Sequence, residues 1–131
     1  MTKTPVSAVL ITQNAASMLA ACLASVAFCD EILVVDSGST DDTITIAQSC
    51  GARIIQTHWR GFGPQKQFAV EQAAHDWILC IDADERVSDR LQHSLNGALT
   101  DLSAVSPAPT FYAYRFARCN RFMGRYLRHG E

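Results

Sequence analysis

DEILVVDSGSTDDT, residues Asp30 to Thr43, decides how the chain is read. Ile32 to Val35 is a short apolar run that stops at Asp36. Ser37-Gly38-Ser39 follows as a turn, and Ser39 or Thr40 is placed to cap a helix. Asp41 and Asp42 would lie in that helix's first turn, where the dipole favours negative charge. Cys50-Gly51 closes it, because glycine suits the left-handed position after a last turn. Strand, turn and helix in so short a stretch make half of a βαβ unit.

The same alternation recurs on both sides. Val6 to Thr12 reads as a buried strand, and Met18, Leu19, Cys22, Leu23 and Val26 then repeat at helical spacing. Arg53 to Thr57 is a third strand, and His58 to Pro64, HWRGFGP, is a loop. Gln65 to His75 predicts a helix with Phe68, Ala69, Gln72 and Ala73 on one face. Trp77 to Ile81 is a fourth strand, and Ser88 caps a helix carrying Leu91, Leu95 and Leu99. Asp101 to Thr110, with Pro107 and Pro109, reads as a linker, and Phe111 to Arg118 as a half-exposed strand. This order predicts an α/β fold with a mostly parallel sheet flanked by helices. Ligands of such sheets bind outside the carboxyl ends of the strands, where Thr12, Asp36 and Asp82 fall.

Composition narrows the functional classes. The chain has 131 residues, enough for one domain with a real core, and its 48% apolar and 18% charged content fits a soluble globular protein. A net charge of −2 makes no case for a nucleic-acid partner. The five cysteines form no CxxC pair and no metal-ligand spacing, so they read as reduced core residues of a cytoplasmic protein. Thr4 to Cys29 is free of acidic and basic side chains, but Pro5, Ser7, Thr12, Gln13, Asn14, Ser17 and Ser25 interrupt it too often for a membrane helix.

The chemistry concentrates in ILCIDADERV, Ile78 to Val87, where Asp82, Asp84 and Glu85 follow the fourth strand. Two carboxylates at that spacing suit a hard cation, Mg²⁺ or Mn²⁺, which takes oxygen ligands, waters and substrate phosphates. In an extended segment Asp82 and Asp84 would share a face while Ala83 points away. The plainer reading is an acidic loop before a helix. Asp36 is placed to accept hydrogen bonds from a ribose or a base imide, or simply to shape its turn. Lys66, at a helix start after a glycine-rich loop, is either a phosphate contact or a surface lysine. Arg115, Arg118, Arg121, Arg125 and Arg128 form either a solvated face or a receptor for an anionic acceptor.

VLITQN, DEILVVDSGSTDDT, GFGPQKQFAVEQA and DWILCIDADE, in this order and spacing, resemble the nucleotide-binding half of family 2 glycosyltransferases. RFARCNRFMGRYLRHGE further resembles the bacterial lipopolysaccharide core glucosyltransferase branch. The resemblance implies a GT-A, Rossmann-like fold and an inverting, metal-dependent transferase using UDP-glucose or a related UDP-hexose. By position, Thr12 and Asn14 would lie beside the nucleoside, Asp36 would contact uridine, and Lys66 would lie near the diphosphate. Asp82 and Asp84 would form the metal-and-ribose motif, with Asp84 the direct ligand of Mg²⁺ or Mn²⁺. The acceptor would be an anionic glycolipid or saccharide such as lipopolysaccharide core, met at the cytoplasmic face of the inner membrane by peripheral association.

Two departures shape the expectation. The family usually continues Asn14 with two glutamates, whereas Ala15 and Ala16 stand here, so an acidic contact near the nucleoside is expected to be missing. The catalytic base is expected beyond residue 131. Residues 1–110 then read as the nucleotide-sugar-binding domain, and 111–131 as the start of an incomplete acceptor-binding region in a truncated chain. Two alternatives stay open: a non-catalytic nucleotide-binding remnant of the same fold, and a haloacid-dehalogenase-like phosphatase using Asp82 as nucleophile.

Overall fold

The computed structural model of the chain describes residues 3–104, 120–122 and 125–127. Four βα units run in sequence: β1 (Val6–Thr12), α1 (Ala16–Ser25), β2 (Glu31–Asp36), α2 (Thr43–Ser49), β3 (Arg53–Gln56), α3 (Phe62–Gln72), β4 (Trp77–Cys80) and α4 (Asp89–Ala104). The strands form one parallel sheet in the order β3-β2-β1-β4, as the alternating pattern predicts. A separate antiparallel pair joins β5 (Asn120–Phe122) to β6 (Arg125–Leu127). The half-exposed strand expected at Phe111 to Arg118 lies outside the described residues, as do Arg115, Arg118 and Arg128 of the arginine series.

Both faces of the sheet are covered, which is why the inner strands read as continuous apolar runs. On one face Ala8, Leu10 and Val34 meet Leu19, Cys22, Leu23 and Val26 of α1 and its end, Ala47 of α2, and Leu99 of α4. On the other, Val9, Leu33 and Val35 meet Ala69 of α3. Alternate residues of β1 thus serve opposite layers. Chain order places β2 and β3 on one side of β1 and β4 on the other, so the strand order reverses beside β1. In such sheets the ligand crevice lies at the carboxyl ends of the strands, at that reversal.

Among the boundaries that differ from expectation, three have a local reason. The helix after Asp36 starts at Thr43, because Ser39 and Thr40 are engaged elsewhere: Ser39 donates to Asp36, and the Thr40 amide donates to Asn14. Asp41 and Asp42 therefore precede the helix instead of occupying its first turn. α3 begins at Phe62, three residues before the expected start, since Gly61 adopts φ 97° and Pro64 falls in the first turn, where its missing N–H costs nothing. Its buried face carries Gln65 with Ala69, while Gln72 is exposed. α4 runs to Ala104, so the start of the expected linker is helical. Ser88 does cap α4, its hydroxyl accepting the Leu91 amide at 3.1 Å.

Candidate functional site

The parallel register ends with Thr12 opposite Asp36. Thr12 Oγ1 donates to Asp36 Oδ1 at 2.7 Å, and Ser39 Oγ donates to the same oxygen at 2.6 Å. The Gly38 and Ser39 amides donate to Oδ2 at 3.1 and 2.9 Å. Gly38 sits at φ 99°, the left-handed region that favours glycine, as the chain turns these two amides onto the carboxylate. Burial alone would push Asp36 up, but the Ser39 hydroxyl and amide, the Thr12 hydroxyl and the Gly38 amide outweigh it and hold the carboxyl below its usual range. Asp36 is fully buried, and four donors fill a carboxylate's ordinary acceptor capacity. In this arrangement it shapes the Ser37–Ser39 turn; a ligand could reach it only if a chain donor let go.

Asn14 joins the loop after β1 to the loop after β2. It adopts φ 52°, a region asparagine tolerates, and its amide donates to Ser39 Oγ at 2.8 Å. Its Oδ1 accepts the Thr40 amide at 2.8 Å and the Asp41 amide at 3.3 Å. Asp41 Oδ2 accepts the Ala16 amide at 3.1 Å, and Thr43 Oγ1 accepts the Ala15 amide at 2.9 Å. The Ala15 and Ala16 amides at the start of α1 are therefore satisfied from the loop after β2 and the first residue of α2. An acid does stand against this helix start despite Ala15 and Ala16; Asp41 supplies it from another loop. The Thr43 hydroxyl, first among its donors, keeps the Asp41 carboxyl low.

The acidic cluster is a turn. The Ile81 amide donates to Val9 O at 3.2 Å, and the Glu85 amide closes on Asp82 O at 2.9 Å. Glu85 Oε1 folds back to accept the Asp82 amide at 2.9 Å. The expectation of an extended Asp82-Ala83-Asp84 segment is thus replaced by a bend, in which Ala83 packs on the core and Asp84 is exposed. Helix α1 grips the bend from below: Cys22 Sγ donates to Asp82 O at 3.5 Å, and Ser25 Oγ accepts the Val87 amide at 3.0 Å. Burial first, then Glu85, Asp84 and Asp82, push the Cys22 thiol up to about 12. From the opposite layer Lys66 of α3 reaches Asp82, Nζ to Oδ1 at 3.2 Å.

The structure therefore brings Lys66 and Asp82 together on one side of β1, and Thr12, Asn14 and Asp36 together on the other. Sequence reasoning missed Ser39, Asp41, Thr43, Cys22 and Ser25 as supports. Ser39 and Asp41 stood in the quoted turn but read as cap and dipole residues. Cys22 and Ser25 sat in a helical stripe that marks core and says nothing of which loop lies above it. Among the described residues, no three or more His, Cys, Asp or Glu side chains converge to hold a metal. Asp82 and Asp84 place two carboxylates in one turn, and carboxylate oxygens are the donor type that a Mg²⁺ or Mn²⁺ ion takes together with waters and phosphate oxygens. A hollow of about 350 Å³ lies at the opposite, amino edge, lined by Cys29, Asp30, Glu31, Cys50 and Arg53 among others. There Glu31 is committed to Ser7, Arg53 and the Ala74 amide, so that end reads as structural bracing.

Comparison with known proteins agrees with this geometry. The family model described as "Glycosyl transferase family 2" matches residues 7–125. An uncharacterized glycosyltransferase of Rickettsia felis is 47% identical over 69% of this chain and 32% of its own length. The lipopolysaccharide core biosynthesis glycosyltransferase LpsC of Rhizobium meliloti is 43% identical over 71% of this chain and 36% of its own. This chain thus spans about a third of the length of the curated relatives it matches. Among solved structures, TarS of S. aureus superposes with a TM-score of 0.65 at 23% identity, over 76% of this chain and 33% of that one. Glucosyl-3-phosphoglycerate synthase of Mycobacterium tuberculosis, in complex with Mn²⁺, UDP and glucosyl-3-phosphoglycerate, gives 0.56 at 25% identity, over 63% and 36%.

Proposed function

The chain belongs to glycosyl transferase family 2 and has the GT-A fold, and on that premise we propose that it carries the donor-binding part of a metal-dependent transferase. The donor is a UDP-hexose, with UDP-glucose the preferred reading, and the acceptor an anionic glycolipid or saccharide such as lipopolysaccharide core. Support for the acceptor comes from the likeness to LpsC, and for the donor from a solved relative bound to UDP and Mn²⁺. The observation that carries the reading is the Lys66–Asp82 pair, at the carboxyl edge beside β1 where the strand order reverses.

Each residue then has a task. Thr12 and Asn14 line the nucleoside side, and Asp36 holds the turn that shapes it. Lys66 meets the diphosphate as a point charge, while Asp82 and Asp84 hold Mg²⁺ or Mn²⁺. When bound, such a cation supplies Lewis-acid neutralisation of charge developing on the departing diphosphate. Glu85 and Cys22 keep the Asp82 backbone fixed, so its carboxylate is oriented before ligand arrives. We place the protein in the cytoplasm, at the inner face of the membrane; among the described residues no helix is long and apolar enough to cross one. The comparisons do not favour a phosphatase using Asp82.

The test is thermal: UDP with Mn²⁺ should raise the melting temperature, and Asp84→Ala should abolish the rise. No shift with any nucleoside diphosphate would refute the reading.

A further inference from the structure

Lys66 and Asp82 are assigned above to two different ligands, yet here they hold each other. The ammonium lies 3.2 Å from Asp82 Oδ1, with the side chains 47% and 42% exposed. Among the described residues, Lys66 is the cation that forms an ion pair with Asp82. Glu85 Oε1 is spent on the Asp82 amide, and Asp82 O is taken by the Glu85 amide and the Cys22 thiol. The backbone of Asp82 is thus fixed while its carboxylate is neutralised by a cation reaching in from the opposite helical layer.

A divalent cation approaching Asp82 alone meets that ammonium at one of its two intended ligands. It must compete with Lys66 for the oxygen and accept like-charge repulsion if Lys66 stays. A diphosphate changes the balance, because it gives Lys66 another anion and leaves Asp82 open. We propose that Lys66 is an internal counter-ion whose transfer from Asp82 to the diphosphate couples metal binding to nucleotide binding. Resting on the metal-site reading above, the inference adds that Lys66 opposes the metal when no nucleotide is present. By linkage the coupling is reciprocal: metal must favour nucleotide by the same factor through this residue.

The sign separates this from a lysine that merely adds to donor affinity. With Lys66→Met, Mn²⁺ alone, followed by electron paramagnetic resonance of the free ion, should bind about three-fold more tightly, the size expected for a half-exposed pair. UDP alone, followed by calorimetry, should bind more weakly to the variant, and the factor by which UDP raises Mn²⁺ affinity should shrink about three-fold. Lys66→Gln, which keeps a polar side chain, should repeat the pattern. Unchanged or weaker binding of Mn²⁺ alone in both variants, while the wild-type Mn²⁺–UDP complex forms, overturns the coupling and leaves the metal site standing. Failure of wild type to bind Mn²⁺ either alone or with UDP overturns both. The melting temperature of each variant, read first, confirms the fold, which a half-exposed position should preserve.

Discussion

Thr12 and Asp36, facing one another at the last rung of the β1–β2 ladder, share a buried hydrogen bond of 2.7 Å. The bond lies where two parallel strands give way to loops, so it sets the direction in which both loops leave the sheet. Asn14 on one loop and Ser39 on the other then interlock. Packing, a charged hydrogen bond and loop geometry meet at this rung.

Thr12→Val keeps the shape and removes the donor, leaving one lone pair of a buried carboxylate unmet. Hydrogen bonds to charged groups contribute about 1.5–3 kcal/mol, so urea unfolding should show a loss of about 2 kcal/mol. A loss within error would mean that Thr12 is not what holds Asp36.

Acid should find Asp36 as a weak point. Its carboxyl is held below the unfolded value of about 3.9, so its contribution is complete above that pH and is lost as pH falls through the lower folded value. Asp30 acts with the same sign, held low first by the Val6 amide. Urea midpoints should therefore stay level from pH 7 to about 5 on account of these groups and drop below about pH 4. Asp36→Asn should be less stable at pH 7 yet decline less steeply in acid; equal slopes would remove Asp36 from the account.

Asp84 is exposed and braces nothing in the core, so Asp84→Ala should leave the unliganded stability within about 0.5 kcal/mol. The same substitution should erase the Mn²⁺-dependent part of UDP binding, and chelation with EDTA should do likewise to the wild type. A variant that still responds to Mn²⁺ would move the metal elsewhere.

Thiol labelling offers a check on the floor of the turn. Cys22 is fully buried with its thiol pushed up to about 12, whereas Cys50 is exposed. At pH 8 a disulfide reagent should modify Cys50 promptly and Cys22 only under unfolding conditions, as located by peptide mass. Rapid modification of Cys22 in the native protein would mean that the acidic turn lifts from α1.

Much of this architecture was legible because it depends on local pattern. β1 was readable to the residue, since a strand between two covered faces is uninterrupted by charge. The cap at Ser88 was readable because a serine three residues before a leucine stripe has little else to do. What pattern could not give was which loop touches which. Ser39 looks like a cap until Asp36, three residues earlier, claims its amide and hydroxyl. Asp41 bonds the start of a helix that ended in sequence well before it. Acidic spacing suggested an extended Asp82–Asp84 pair, but Glu85 turned the segment back on itself, a choice set by one side chain meeting one amide.

β4 lies on the far edge of the sheet from β3 and pairs with β1. In kinetic terms this is the contact of longest sequence separation in the main sheet, and closing so large a loop costs entropy before it returns any packing. The corner bearing Asp82 should accordingly assemble late in refolding, after the three-stranded remainder has formed. Pulse-labelled hydrogen exchange would show it as delayed protection of the Ile81 amide relative to amides of β2.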